Sequence, residues 1–316
     1  MSGPLTVEVT RGLHVESRHQ VHVAIADAAG LVDGWGDTDR LTYARSSLKP
    51  IQAMPLVTTG AAATYGLSAD ELALACASHN GEHEHVELVD QWLSCIGASV
   101  RDLACGARPP MHAESADDLV RQGRLPDPRH SDCSGKHAGF LTVAAHQGLP
   151  IEGYVHPDHP VQSAYVTPAI EDVCRVDLSA QTPGIDGCGI PVWGLRLVDI
   201  AVGWSQLTSR GAGRQLLEAM VARPHLVAGT DRSCTRLMRD ADGLAAVKGG
   251  AEGVYCGADL ETGLAFALKV EDGTRRAAEV AAEWLLDRWG RVEHAASHPL
   301  TNWAGTPVGE VRVAQN

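Results

Sequence analysis

His14-Val15-Glu16-Ser17-Arg18-His19-Gln20-Val21-His22-Val23-Ala24-Ile25-Ala26-Asp27 decides the fold class. Its Val21, Val23 and Ile25 recur with the period of two that lines up side chains on one face of a strand. Leu5 to Val9 alternates in the same way before it, and Ala29-Gly30 leads into a third stretch through Trp35 after it. The amino-terminal part therefore reads as a meander of antiparallel strands. The period changes at Ser46: Ile51, Met54, Pro55, Thr58 and Ala61 to Ala63 suit a helix, and helical signals recur at Asp70 to Ala77, His85 to Ile96 and Gly139 to His146. Strand periodicity returns in Val247 to Cys256, Gly263 to Val270 and Leu300 to Val313, with the Asp272-Gly273 turn and a strong helix over Thr274 to Trp289 between them. The expected class is α+β: a central antiparallel sheet built from residues 1–44 and 245–316, helices packed on it, and a mainly helical region over 45–244, all forming one catalytic unit.

The chain has 316 residues, 44% of them hydrophobic, which suffices for a sizeable core. Its formal net charge of -13 repels a polyanion, and no Lys/Arg cluster interrupts the acidic balance, so nucleic acid is excluded as a partner. Met1 to Thr10 carries no basic segment followed by an apolar one, and no apolar run reaches the roughly eighteen residues a span needs. A soluble cytoplasmic protein with no membrane partner is expected. In that reducing compartment the eight cysteines read mostly as small core residues.

Cationic charge is carried by 22 arginines and only four lysines, Lys49, Lys136, Lys248 and Lys269. Where Arg serves the ordinary solvated positions, a remaining Lys points to a role that needs loss of a proton. Arg45-Ser46-Ser47-Leu48-Lys49-Pro50 sets a hydroxyl and an amine three apart at a helix start, and Pro50 fits only the first turn. Free N–H groups at such a terminus can hold a developing oxyanion, and a desolvated lysine can serve as the base for serine. The bland alternative is a serine cap beside a solvated lysine.

Ala77-Ser78-His79-Asn80-Gly81-Glu82-His83 offers a second hydroxyl, Ser78, where a buried helix gives way to a loop. His79 and His83 stand four apart, but the Asn80-Gly81 turn signal between them argues against a helical metal pair. Cys133 and Lys136 in Asp132-Cys133-Ser134-Gly135-Lys136 repeat the three-residue offset, and Asp186-Gly187-Cys188-Gly189 presents a thiol and a carboxylate. Cys133, Lys136 and Cys188 could together hold zinc; a phosphate-binding loop, two unrelated core thiols and a regulatory disulfide remain open. Lys248-Gly249-Gly250 reads as a lysine at a strand edge, followed by glycines that admit a ligand close to the backbone. If Lys248 lay near Lys49, each would disfavour the other's charge.

In their order and separations these segments resemble the Rhizobium etli-type L-asparaginase II family, a third structural class of asparaginases distantly related in fold to serine β-lactamases and glutaminases. The resemblance covers nearly the whole chain. It implies a homodimer that hydrolyses L-asparagine to L-aspartate and ammonia, with two Ser-Lys pairs beside a zinc ion. By motif, Ser46 is the nucleophile with Lys49 as its base, Ser78 and Lys248 form the second pair, and Cys133, Lys136 and Cys188 are the zinc ligands. Arg45, His79, Asp186 and Gly249 fall at substrate-binding positions. Asp132 departs from the asparagine usual in the family. The rival readings are a penicillin-recognising or glutaminase-like serine hydrolase and, in another class, a non-catalytic zinc or thiol sensor on a hydrolase scaffold.

Overall fold

The computed structural model describes residues 3–209, 211–293 and 298–314, so the extreme ends of the two expected sheet-forming segments lie outside the described residues. The chain divides into two compact units: residues 1–47, 194–208 and 237–316 form one, and residues 48–193 and 209–236 form the other. The region 45–244 is thus shared between them.

The first unit is built on an eight-stranded sheet. Its strands are β1 (Leu5–Arg11), β2 (His14–Ala26), β3 (Leu31–Trp35), β4 (Ala245–Gly249), β5 (Val254–Asp259), β6 (Ala265–Val270), β7 (His298–Thr301) and β8 (Pro307–Val313). The order is β7-β8-β1-β2-β6-β5-β4, with β3 paired to β2, and every pair is antiparallel. Both termini therefore meet in the sheet centre, where Val21, Val23 and Ile25 of β2 face Val270, Leu268 and Phe266 of β6. Only the second half of β2 is continuously buried, while its first half alternates, as the quoted stretch does in sequence. The helix Arg275–Arg288 covers the sheet with small and branched side chains, Ala277, Ala278, Val280, Ala281, Leu285 and Leu286 among them.

Two details differ from the sequence reading. Val247 to Cys256 is two strands, because Glu252 and Gly253 both take positive φ (56° and 66°) and turn β4 into β5. Leu300 to Val313 likewise folds back, as β7 and β8. Both stretches keep alternation across a turn, so periodicity alone cannot see the break.

The second unit is helical. Its site-bearing helices are α1 (Ala69–Ala75), α2 (His83–Cys95) and α3 (Ser134–Gln147). Ser68 caps α1 by accepting from Asp70 N, and Glu71 returns the bond to Ser68 N, a capping box that stabilises the helix by about 1 kcal/mol. Helix α3 ends at Gly148, whose φ of 64° closes the last turn. The two helices touch backbone to backbone: a Cβ on Gly135 would stand 2.2 Å from Leu74 O. That approach sets the carboxyl end of α1 against the amino end of α3, and with them Ser78 and Cys133. Gly135→Ala should therefore cost about 1–3 kcal/mol, read as a lowered melting temperature. An unchanged melting point would show that the helices do not pack this closely. Among the described residues no helix is long and apolar enough to cross a membrane.

Candidate active site

Arg45–Leu48, whose first three residues close the opening segment of the sheet unit, forms one 3-10 turn, entered at Arg45 with a positive φ of 53°. Such a conformation in a side-chain-bearing residue is a local strain that packing must hold. Trp204 Nε1 donates to Ser47 O (3.1 Å), and Ser47 Oγ donates to Ala44 O (2.7 Å). Ser46 is left half-buried between them in sequence. Lys248, 1% exposed on edge strand β4, directs its amine to Gly249 O at 2.8 Å. Gly250 follows so close to the turn that a Cβ there would lie 2.7 Å from Ala44 O. The glycines after Lys248 thus bring Lys248 and Gly249 beside the segment holding Arg45 and Ser46.

In the helical unit, Lys49 opens the helix Lys49–Gln52, with Pro50 in its first turn where no N–H is needed. The side chain is fully buried (0% exposed). Its Nζ reaches Ala77 O, Ser78 Oγ (2.9 Å) and Asp132 O (3.1 Å). All three acceptors come from the point where α1 meets α3. Among the described residues no carboxylate pairs with this amine. Two carbonyls and one hydroxyl accept from the amine, which fills its three donor positions.

Cys133 lies just before α3 and Lys136 in its first turn; Cys188 sits in the turn where Gly189 N donates to Asp186 O (2.9 Å). Lys136 Nζ donates to Cys188 Sγ at 3.0 Å. Hydrogen bonding with Cys133 pulls the Cys188 thiol well below its ordinary pKa, with Lys136 adding to the effect. The same interaction holds the proton on Cys133 and pushes its pKa up, and burial pushes it further. Burial works against a charged Lys136, but the two sulfurs and Asp186 outweigh it and raise its pKa. Two thiols and an amine converging on one point are a donor set that fits zinc once their protons leave. Asp186 itself accepts from Gly187 N and is half-buried.

His79 is fully buried, and both ring nitrogens are used inside the fold. Gly81 N donates to Nδ1 (3.1 Å), so Nε2 carries the proton given to Ser134 Oγ (2.8 Å), which in turn donates to Arg129 O. Asn80 and Gly81 lie in the loop that precedes α2, with Gly81 at φ 72°, so no helix runs from His79 to His83. Two partners carried no sequence signal. Arg232 Nη1 donates to Ser78 O (3.3 Å) and Asn80 Oδ1 (2.8 Å), fixing the loop that presents Ser78. Arg108 Nη1 meets Asp132 Oδ1 at 2.7 Å. As two of 22 arginines they look like any other in the sequence.

The family model for L-asparaginase II matches residues 7–313 of this chain. The chain belongs to the L-asparaginase II family. No curated protein matches it by sequence. Solved structures similar to it include a β-lactamase from Mycobacterium bovis, at 16% identity and a TM-score of 0.41, covering 85% of this chain and 94% of that one. A D-alanine carboxypeptidase from Burkholderia cenocepacia follows at 10% identity and a TM-score of 0.37, covering 83% and 90%. A simvastatin synthase mutant from Aspergillus terreus has 11% identity and a TM-score of 0.34, covering 82% and 87%. At such values these likenesses decide nothing beyond the family. Asp132 sets a carboxylate next to Cys133, and its pairing with Arg108 offsets that charge.

The buried imidazoles give this L-asparaginase II chain a pH signature. Burial, then the neighbouring His85, lowers His79 well below 6.5; burial takes His85 to about 4 and His137 to about 3. Each folded pKa lies below the unfolded value, so the unfolded chain binds more protons between 6.5 and those values, and stability is lost as pH falls through that window. Each imidazole contributes up to about 1.4 kcal/mol per pH unit there. Denaturant midpoints should fall steeply below pH 6.5, and His137→Gln should shallow the slope by about one proton. A slope unaffected by that substitution would remove His137 from the account.

Proposed function

We propose that this protein is an amidohydrolase that converts L-asparagine to L-aspartate and ammonia by a Ser-Lys acyl-enzyme route. The observation that carries the proposal is Lys49, a buried amine that has no carboxylate partner among the described residues and stands 2.9 Å from the Ser78 hydroxyl. Family membership names the substrate.

Ser46, half-buried and three residues before Lys49, attacks the side-chain amide carbon as Lys49 accepts its proton. Ser78 Oγ, itself 6% exposed, accepts from Lys49 Nζ and holds the amine in place. The N–H groups of the turn beginning at Arg45 stabilise the oxyanion. The Lys49 ammonium so formed protonates the departing amide nitrogen, and water then hydrolyses the aspartyl ester with Lys49 again taking the proton. Arg45, His79, Asp186 and Gly249 are the proposed substrate-binding set. Cys133, Lys136 and Cys188 would hold zinc, which when bound would supply a fixed positive charge for positioning the substrate. We extend the proposal to a cytoplasmic homodimer, which sedimentation tests directly.

Purified protein incubated with asparagine should release ammonia and aspartate in equal amounts, with no nitrocefin hydrolysis. Nitrocefin turnover without ammonia release would favour a penicillin-recognising hydrolase. Zinc binding with neither activity would leave a sensor.

A further inference from the structure

Glu82, His85 and His225 form a cluster that the proposed reaction does not use. Glu82 immediately precedes α2, His85 lies in the first turn of α2, and His225 comes from the short helix Pro224–Val227. One ligand atom of each lies within 4.8 Å of the other two.

The hydrogen bonds fix which atoms remain to bind. His85 is fully buried, and its Nε2 has only a carbonyl to meet, His225 O at 3.0 Å, so Nε2 carries the proton. That leaves Nδ1 as a bare lone pair, and among the described residues it has no hydrogen-bond partner. An imidazole that gives one N–H to a backbone carbonyl and keeps the other nitrogen free is the arrangement that orients metal-ligating histidines. Glu82 is held equally firmly: Oε1 accepts from Thr230 N (2.8 Å) and Asn80 Nδ2 (3.0 Å), and Oε2 accepts from Thr230 Oγ1 (2.8 Å). Oε2 keeps a lone pair and stands 3.7 Å from His225 Nε2, and the exposed Glu84 Oε2 stands 3.3 Å from the same nitrogen.

We propose that Glu82, His85 and His225 bind a divalent transition-metal ion, at a second site distinct from Cys133, Lys136 and Cys188. Two imidazoles and a carboxylate suit zinc or cobalt and need no thiolate. The His85 and His225 rings lie stacked, 5.2 Å between centroids and 24° between planes, so their in-plane lone pairs run nearly parallel. Binding therefore turns the half-buried His225 ring out of the stack while its carbonyl stays on His85. The ion would tie residues 78–82, which carry Ser78, to residues 225–232 along the line already drawn by Thr230, Asn80 and Arg232. Its role is to fasten that loop.

Cobalt titration tests this in untagged protein carrying Cys133→Ser, which removes one thiol from the other site. One equivalent should bind with weak visible bands and no intense near-ultraviolet thiolate charge-transfer band. The melting temperature should rise with cobalt concentration. Both effects should vanish in His225→Ala, whose substituted ring is half-buried and leaves the core intact, and weaken at least tenfold in affinity in Glu82→Gln. Absence of a saturable equivalent, or one unchanged by His225→Ala, overturns the proposal. The readouts do not depend on asparagine turnover, so failure here and failure of the hydrolase reading are separable.

Discussion

Lys49→Ala is expected to lower kcat/KM for asparagine by about 10²–10⁴-fold, the usual contribution of a positioned general base, without unfolding the protein. Lys49→Arg should be nearly as inactive: a guanidinium keeps its proton, and it must fit a site that is 0% exposed and already bounded by Ala77 O, Ser78 Oγ and Asp132 O. Ser46→Ala should abolish turnover, and adding Lys49→Ala to it should do little more, since nucleophile and base act as one unit. Ser78→Ala should be the milder change, lowering kcat while leaving a residual rate. Steady-state kinetics with a circular-dichroism check on each variant reads all four. A Lys49→Arg enzyme with substantial activity would remove the general-base role. Full loss in Ser78→Ala with activity retained in Ser46→Ala would move the acyl group to Ser78.

The second large effect concerns metal. Purified protein should carry about one zinc per chain at the cysteine site, lost in Cys133→Ser and in Cys188→Ser. The charge state sets the pH dependence. With Cys188 favoured as the thiolate, and Cys133 and Lys136 both pushed toward their protonated forms, ligation by all three must release two protons. Affinity should then fall by up to about 100-fold for each pH unit lost, below neutrality and above the Cys188 titration. Zinc competition measurements at several pH values read this slope. If the ion positions substrate, both variants should raise KM more than they lower kcat. Metal analysis finding no zinc, or a slope near zero, would discard the ligand set while leaving the Ser-Lys chemistry standing.

Glu82, His85 and His225 make an instructive contrast with the pair the sequence draws attention to, His79 and His83. Spacing in sequence highlights histidines four apart, but Gly81 breaks the helix between those two, and His79 spends both nitrogens inside the fold. The cluster that does form joins residue 225 to residues 82 and 85, a separation no local pattern encodes. Arg232 and Arg108 were hidden for the same reason.

The sequence by itself determined the α+β class, the meeting of both termini in one antiparallel sheet, the helix start pinned by Pro50, and the helix break at Asn80-Gly81. These follow from local rules: side-chain period, the missing proline N–H, and the Asn-Gly signal. Only the tertiary structure decided that the Lys49 amine rests on Ser78 and two carbonyls, that Lys136 donates to Cys188, and that Arg108 takes up the charge of Asp132. Those facts depend on the backbone contact of Gly135 with Leu74 and on burial that strips water from the amine, thiol and imidazole groups. Hydrogen-bond partners and desolvation are properties of where distant segments meet, and so no reading of neighbours along the chain contains them.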